Sequence, residues 1–268
     1  MRTKKRMEYS FGVFDMSRKY KHTVIASAHT LDFKFPKSWQ ELNQRQLKAV
    51  LVFLTAYDSV TALLRITLYF ANMVIVKTEG GYAKCRIQTS VGTINCTLSS
   101  EDIAALTEAM RWVLTPGSVP VLLDEYDGHH AVDRLLHDVS FETYLCLDNL
   151  YQGFLMSKNE EAIVAMARIV YNGKKKIKEY KPYIRFGIIQ WYTQLKTHFS
   201  MQFSNFFKRT EGGSAQSVVE AMNAQIRALT GGDVTKEKEI FAIDTWRALT
   251  ELNAKAREAE EFKKSMKR

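Results

Sequence analysis

The chain has 268 residues, with 38 Lys plus Arg against 29 Asp plus Glu, a formal charge of +9, and 46% apolar and 12% aromatic residues. Four Pro and 13 Gly exclude a collagen-like or linker-dominated chain, and the apolar fraction is enough for one large or two ordinary folded domains. Three cysteines, Cys85, Cys96 and Cys146, are odd in number and form no CxxC unit, which argues against a disulfide framework. Neither a signal-peptide apolar core after the basic start nor an apolar run long enough to span a bilayer is present, so the expectation is an intracellular chain without transmembrane association.

Residues 1–21 hold seven basic and two acidic groups and read as a basic N-terminal arm. Residues 22–120 read as a mixed α/β domain. Ser38 followed by Glu41 fits a capping box, and Leu42, Leu47, Val50, Leu51 and Leu54 predict a helix over 39–56. The stretch Thr61 to Phe70 suits a second helix or a strand. Met73 to Val76, Cys85 to Ile87 and Ile94 to Leu98 read as short strands, with Gly80-Gly81 turning the first into the second. Ser99 to Asp102 starts a helix whose apolar face is Ile103, Leu106, Ala109, Met110 and Val113, and Pro116-Gly117 ends it.

Residues 121–138 read as an acidic connection, and 139–268 as a helical domain with helices over 139–156, 159–172, 182–208, 214–229 and 235–265. The glycine pairs at 212–213 and 231–232 are either hinges or rigid C-caps. The fold class expected is therefore α+β, predominantly helical: a small mixed α/β part followed by a bundle-like helical part.

The excess charge is local. Residues 158–209 hold eleven basic and three acidic groups, whereas 22–157 hold ten and fourteen. Lys174, Lys175, Lys176, Lys178 and Lys181 form the densest cluster, able to meet phosphates, acidic side chains or a membrane surface, or to be a solvated turn between helices. No zinc-finger spacing, RNP-like motif or KH-like GxxG accompanies it.

Asp124, Glu125, Asp127, His129, His130, Asp133, His137 and Asp138 are the one concentration of possible metal ligands, with 130, 133 and 137 at helix-compatible offsets. The run is neither HExxH nor an EF-hand loop, so a solvated acidic loop facing the basic helical surface is the expectation, with no metal and no cofactor. Cys146, among Phe141, Tyr144, Leu145 and Leu147, is expected to be a buried core thiol. GxSxG, GxxxxGK and Rossmann glycine patterns are absent, so no catalytic residue is assigned and no enzyme is expected. Phe199, Phe203, Phe206 and Phe207 fit the inner side of a helix. Ile240, Ile243, Trp246, Leu249 and Leu252 make an apolar stripe that must cover either the chain's own bundle or a partner, and these five are the candidate protein interface.

The segment Phe35 to Leu42, the aromatic region Tyr144 to Phe154, and Ala221 to Glu239 leading to Asp244 to Asn253 together resemble a group of proteins from phages and prophages of Bacteroidetes-type bacteria. The likeness covers most of 35–255 and implies a non-enzymatic tail-associated structural or assembly protein. Its partners would be other phage structural or assembly proteins, or further copies of itself. Its place would be the host cytoplasm during assembly, or the virion. The alternative is a nucleic-acid-binding accessory protein using the basic arm and Lys174 to Lys181.

Overall fold

A computed structural model describes residues 8–9, 21–26, 29–172, 177–208 and 218–266. It divides into two units, Met1–Thr115 and Pro116–Arg268, so the segment read as an acidic connection lies inside the second. The class is α+β and predominantly helical, as the hydrophobic periodicities predict. Among the described residues no helix is long and apolar enough to cross a membrane.

In the first unit, strands β1 (Glu8–Tyr9), β2 (Lys21–Ala26) and β3 (His29–Lys34) form an antiparallel sheet in the order β1-β2-β3. The rest of the basic arm lies outside the described residues. Helix α1 (Gln44–Ala56) starts later than the Ser38 signal predicts, because Asn43 and Gln46 form the capping box instead. The Asn43 side chain accepts from the Gln46 amide at 2.9 Å, and Gln46 Oε1 accepts from the Asn43 amide at 3.0 Å. Ser38 makes no side-chain cap, and residues 39–41 form a single 3₁₀ turn that buries Trp39. The Trp39 indole donates to the Thr115 carbonyl and Trp112 to the Pro36 carbonyl, each at 2.9 Å, so two tryptophans in edge contact tie the ends of this unit's helical layer together.

Helix α2 (Ser59–Phe70) follows, with Asp58 accepting from the Val60 and Thr61 amides. Its β-branched content is outweighed by the inward positions Ala62, Leu63 and Ile66. Strands β4 (Met73–Glu79), β5 (Tyr82–Thr89) and β6 (Gly92–Ser99) make a second antiparallel sheet. Gly80 and Gly81 both take positive φ in the β4–β5 turn, where a side chain would be strained. The sheet alternates inside and out: Ala83, Cys85 and Ile87 are buried, while Tyr82, Lys84, Arg86 and Gln88 are exposed. Helix α3 (Ser100–Glu108) carries the predicted cap as a Ser99–Asp102 box and ends at 108, and Arg111–Leu114 continues as a 3₁₀ turn.

The second unit opens with an extended strap and a two-residue hairpin, β7 (Glu125–Tyr126) and β8 (His129–His130), turned by Asp127 and Gly128 at positive φ. Helices α4 (Phe141–Ser157), α5 (Glu160–Val170), α6 (Pro182–Gln202), α7 (Val218–Thr230), α8 (Glu237–Ala242) and α9 (Thr245–Ser265) follow. Phe141, Tyr144, Leu147, Met166, Ile188, Trp191, Tyr192, Leu195, Phe199 and Leu249 form the core. Side-chain donors pin the strap to that core: Trp191 to the Arg134 carbonyl at 2.8 Å, Tyr171 to Leu123 at 2.9 Å, and Trp246 to Leu135 at 2.6 Å. The Val121 amide in turn donates to Gln194 Oε1 at 2.9 Å. Gly231 and Gly232, with positive φ and a Gly232 amide bond to the Arg227 carbonyl, are a rigid C-cap of α7, while the 212–213 pair lies outside the described residues.

Candidate functional site

The apolar stripe does not form one helical face. The helix predicted over 235–265 breaks at Ile243, which is extended, and restarts on Asp244. The break is held from a distant part of the chain. Phe141 N donates to the Ile243 carbonyl at 2.8 Å, Thr245 N donates to Val139 at 2.9 Å, and Asp138 N donates to Asp244 Oδ2 at 2.9 Å. Leu249 and Leu252 are buried within the unit, and Ile240, Ile243 and Trp246 are half-buried. The Trp246 ring stacks on His137 at 4.6 Å and meets Phe203 and Phe199 edge-on. Burial among these rings lowers the affinity of His198 for a proton. Leu249 and Leu252 therefore pack inside their own unit, while Ile240, Ile243 and Trp246 keep part of their surface exposed.

Lys174, Lys175 and Lys176 lie outside the described residues, while Lys178 and Lys181 are exposed. The intervening Ile177 and Tyr180 are buried, so the basic segment is anchored by alternating apolar side chains. Tyr180 stacks on Tyr126 of the acidic hairpin at 5.9 Å, the Tyr126 hydroxyl donates to the Glu179 carbonyl at 2.9 Å, and Lys181 N donates to that hydroxyl. Desolvation raises the Tyr126 proton affinity, with Asp127 adding to it and Lys181 opposing it. The acidic hairpin and the end of the basic cluster are thus neighbours.

No helix forms over 130–137, so His130, Asp133 and His137 share no helical face. Asp133 instead accepts from the Leu135 and His137 amides at 2.9 and 3.1 Å, a turn-forming role. No group of three or more His, Cys, Asp or Glu among the described residues is arranged to hold a metal ion.

Cys146 is exposed, correcting the expected core thiol. At about 100° per residue, Cys146 falls on the side of α4 opposite the centre of the arc formed by Phe141, Tyr144, Leu147 and Tyr151. Partial desolvation and the Glu142 carboxylate hold its thiol above the ordinary range, which disfavours a nucleophile. Phe199 and Phe203 are core residues, while Phe206 and Phe207 are half-buried. Sequence reasoning missed a polar junction in the bundle, where Asp148 Oδ1 accepts from Lys196 Nζ at 2.8 Å and from the Tyr192 hydroxyl at 3.2 Å. Its members are too far apart in sequence to suggest one another.

The surface that sequence reasoning did not single out is the outer face of the β4–β6 sheet. Register aligns Val74 with Arg86 and Asn95, and Lys77 with Lys84 and Thr97. Val76 sits in the bulge between Ile75 and Lys77. Val74, Val76 and Tyr82 are 61, 58 and 52% exposed, beside three basic side chains and one carboxylate, Glu79, paired with Lys77 at 3.0 Å. Lys77 and Lys84 stand directly opposite each other, a like-charge pairing that Glu79 partly offsets. Polar residues alternating with buried ones along Tyr82 to Gln88 were the available signal.

Comparison with protein families, with curated proteins and with solved structures gave no match.

Proposed function

We propose that this chain is a non-enzymatic structural or assembly factor of a phage tail, acting through protein–protein contacts in the host cytoplasm. The sequence likeness described above supplies the phage setting. The observation that carries the contact role is the outer sheet face, where Val74, Val76 and Tyr82 stand exposed among Lys77, Lys84 and Arg86. Exposed apolar side chains on a sheet whose outer strand β4 has no second strand partner among the described residues suit pairing with another chain. A face of net positive charge opposes its own copy, so the fitting partner is another assembly protein with an acidic, partly apolar surface.

Native mass measurement of the protein, alone and with the products of neighbouring genes, tests this across salt concentrations. The expected result is a discrete complex that is lost on Val74→Glu with Val76→Glu. Monomer under every condition, or a complex indifferent to both substitutions, sinks it. The alternative reading, a nucleic-acid accessory protein, is favoured by the exposure of Lys178 and Lys181, and co-purified nucleic acid released by salt is its signature.

A further inference from the structure

Cys85 lies on the central strand β5 and Cys96 on the outer strand β6, and register sets them directly opposite. Both project to the buried side of the sheet, 2 and 9% exposed, and both are free thiols. The Ser100 amide donates to the Gly81 carbonyl at 3.1 Å, and counting in twos along the ladder from there puts Cys85 and Cys96 at a hydrogen-bonded pair. Such a pair has its Cα atoms about 5.5 Å apart, inside the window that a disulfide spans. Its Cβ atoms stand wider than a relaxed disulfide prefers, so the link is closable and also easily reopened by a thiol reductant.

The Cys96 thiol opposite it lowers the proton affinity of Cys85 while burial opposes that, and the Cys85 sulfur and burial both raise that of Cys96. The two sulfurs titrate as a pair, and either can be the first to react. As a thiol, Cys85 also donates to the Ala83 carbonyl at 3.7 Å.

We propose that Cys85 and Cys96 are a redox-responsive dithiol that a hydroperoxide closes into a reversible cross-strand disulfide, stapling β6 to β5. In the first step the thiolate of one cysteine attacks the terminal peroxide oxygen, the O–O bond breaks, and the departing alkoxide or hydroxide takes a proton to leave as alcohol or water, giving a sulfenic acid. In the second, the sulfur of the other cysteine, giving up its proton, attacks the sulfenic sulfur and expels water. Two electrons pass from the two sulfurs to one peroxide. The small oxidant matches a site reached by local opening of the outer strand β6.

The test uses the full chain carrying Cys146→Ser, fully reduced, then exposed to hydrogen peroxide. Expected are loss of both titratable thiols after denaturation, a mass deficit of two hydrogens, one linked peptide pair joining Cys85 to Cys96, and a rise in thermal midpoint, all reversed by dithiothreitol. Two surviving thiols, oxygen gained at either cysteine without a link, or links between molecules would overturn the proposal. Cys96→Ala and Cys85→Ala should each leave a sulfenic acid at the remaining cysteine that a 1,3-dione traps. Absence of label in both variants would overturn the sulfenic acid step. Peptide mapping on the unsubstituted pair decides the link whatever the alanine variants do to folding.

Discussion

Leu249 and Cys146 carry opposite assignments from similar sequence surroundings. Leu249 belongs to a stripe open to a partner on periodicity alone, yet it is buried in its own unit; Cys146 is flanked by Leu145 and Leu147, yet it is exposed. Apolar neighbours in sequence say little about a helical residue, because adjacent positions point about 100° apart. Leu249→Ala removes side-chain volume from a filled core and should cost about 2–5 kcal/mol. Cys146→Ser changes a solvent-facing position and should stay within about 0.5 kcal/mol. Urea unfolding of the two variants checks both; a neutral Leu249→Ala would return the stripe to the list of free surfaces.

At the scale of elements, signals that act within four residues were legible, and those set by distant partners were not. The Gly80-Gly81 turn, the Ser99 cap and the alternation of β5 could be read because the residues that fix them are local. The start of α1 was misplaced by two competing local caps, of which the Asn43–Gln46 box forms and Ser38 does not. The break at Ile243 could not be read at all, since its cause is the backbone of Asp138 to Phe141, about a hundred positions earlier. Hydrophobic spacing runs unbroken from Ile240 to Leu252 whichever way the backbone goes. Asp244 is the residue on which the restart depends, capping the Trp246 and Arg247 amides through Oδ1 and receiving the Asp138 amide through Oδ2. Asp244→Ala should cost about 1–2 kcal/mol, and Asp244→Asn, which keeps the cap acceptor, should recover most of it. Thermal unfolding with helical ellipticity as the signal distinguishes them. Equal loss in both would mean that the bond from the Asp138 amide to the second carboxylate oxygen, which asparagine cannot accept, and not the helix cap, sets the restart.

At the scale of the whole molecule, the division at Thr115 changes what the +9 charge means. Within the second unit, residues 116–157 carry one basic and seven acidic groups, and 158–209 carry eleven and three. The acidic and basic segments share a unit, meet where Tyr126 packs on Tyr180, and are joined by Lys196 to Asp148. That unit's net charge is only +2, whereas the first unit, with sixteen basic and nine acidic groups, carries +7. Lys181, at the described end of the Lys174 to Lys181 cluster, thus lies beside the hairpin that carries Asp127. Among the described residues Lys77 pairs with Glu79, and the sheet positions beside Lys84 and Arg86 are Thr97, Val74 and Asn95. Retention on a polyanionic matrix reads this difference, since each charge engaged steepens the dependence on salt. Lys77→Gln with Lys84→Gln should elute at distinctly lower salt than the parent chain, and Lys178→Gln with Lys181→Gln should move the elution less. An equal or larger shift from the second pair would restore the cluster as the main anion-facing surface and strengthen the nucleic-acid reading at the expense of the sheet face.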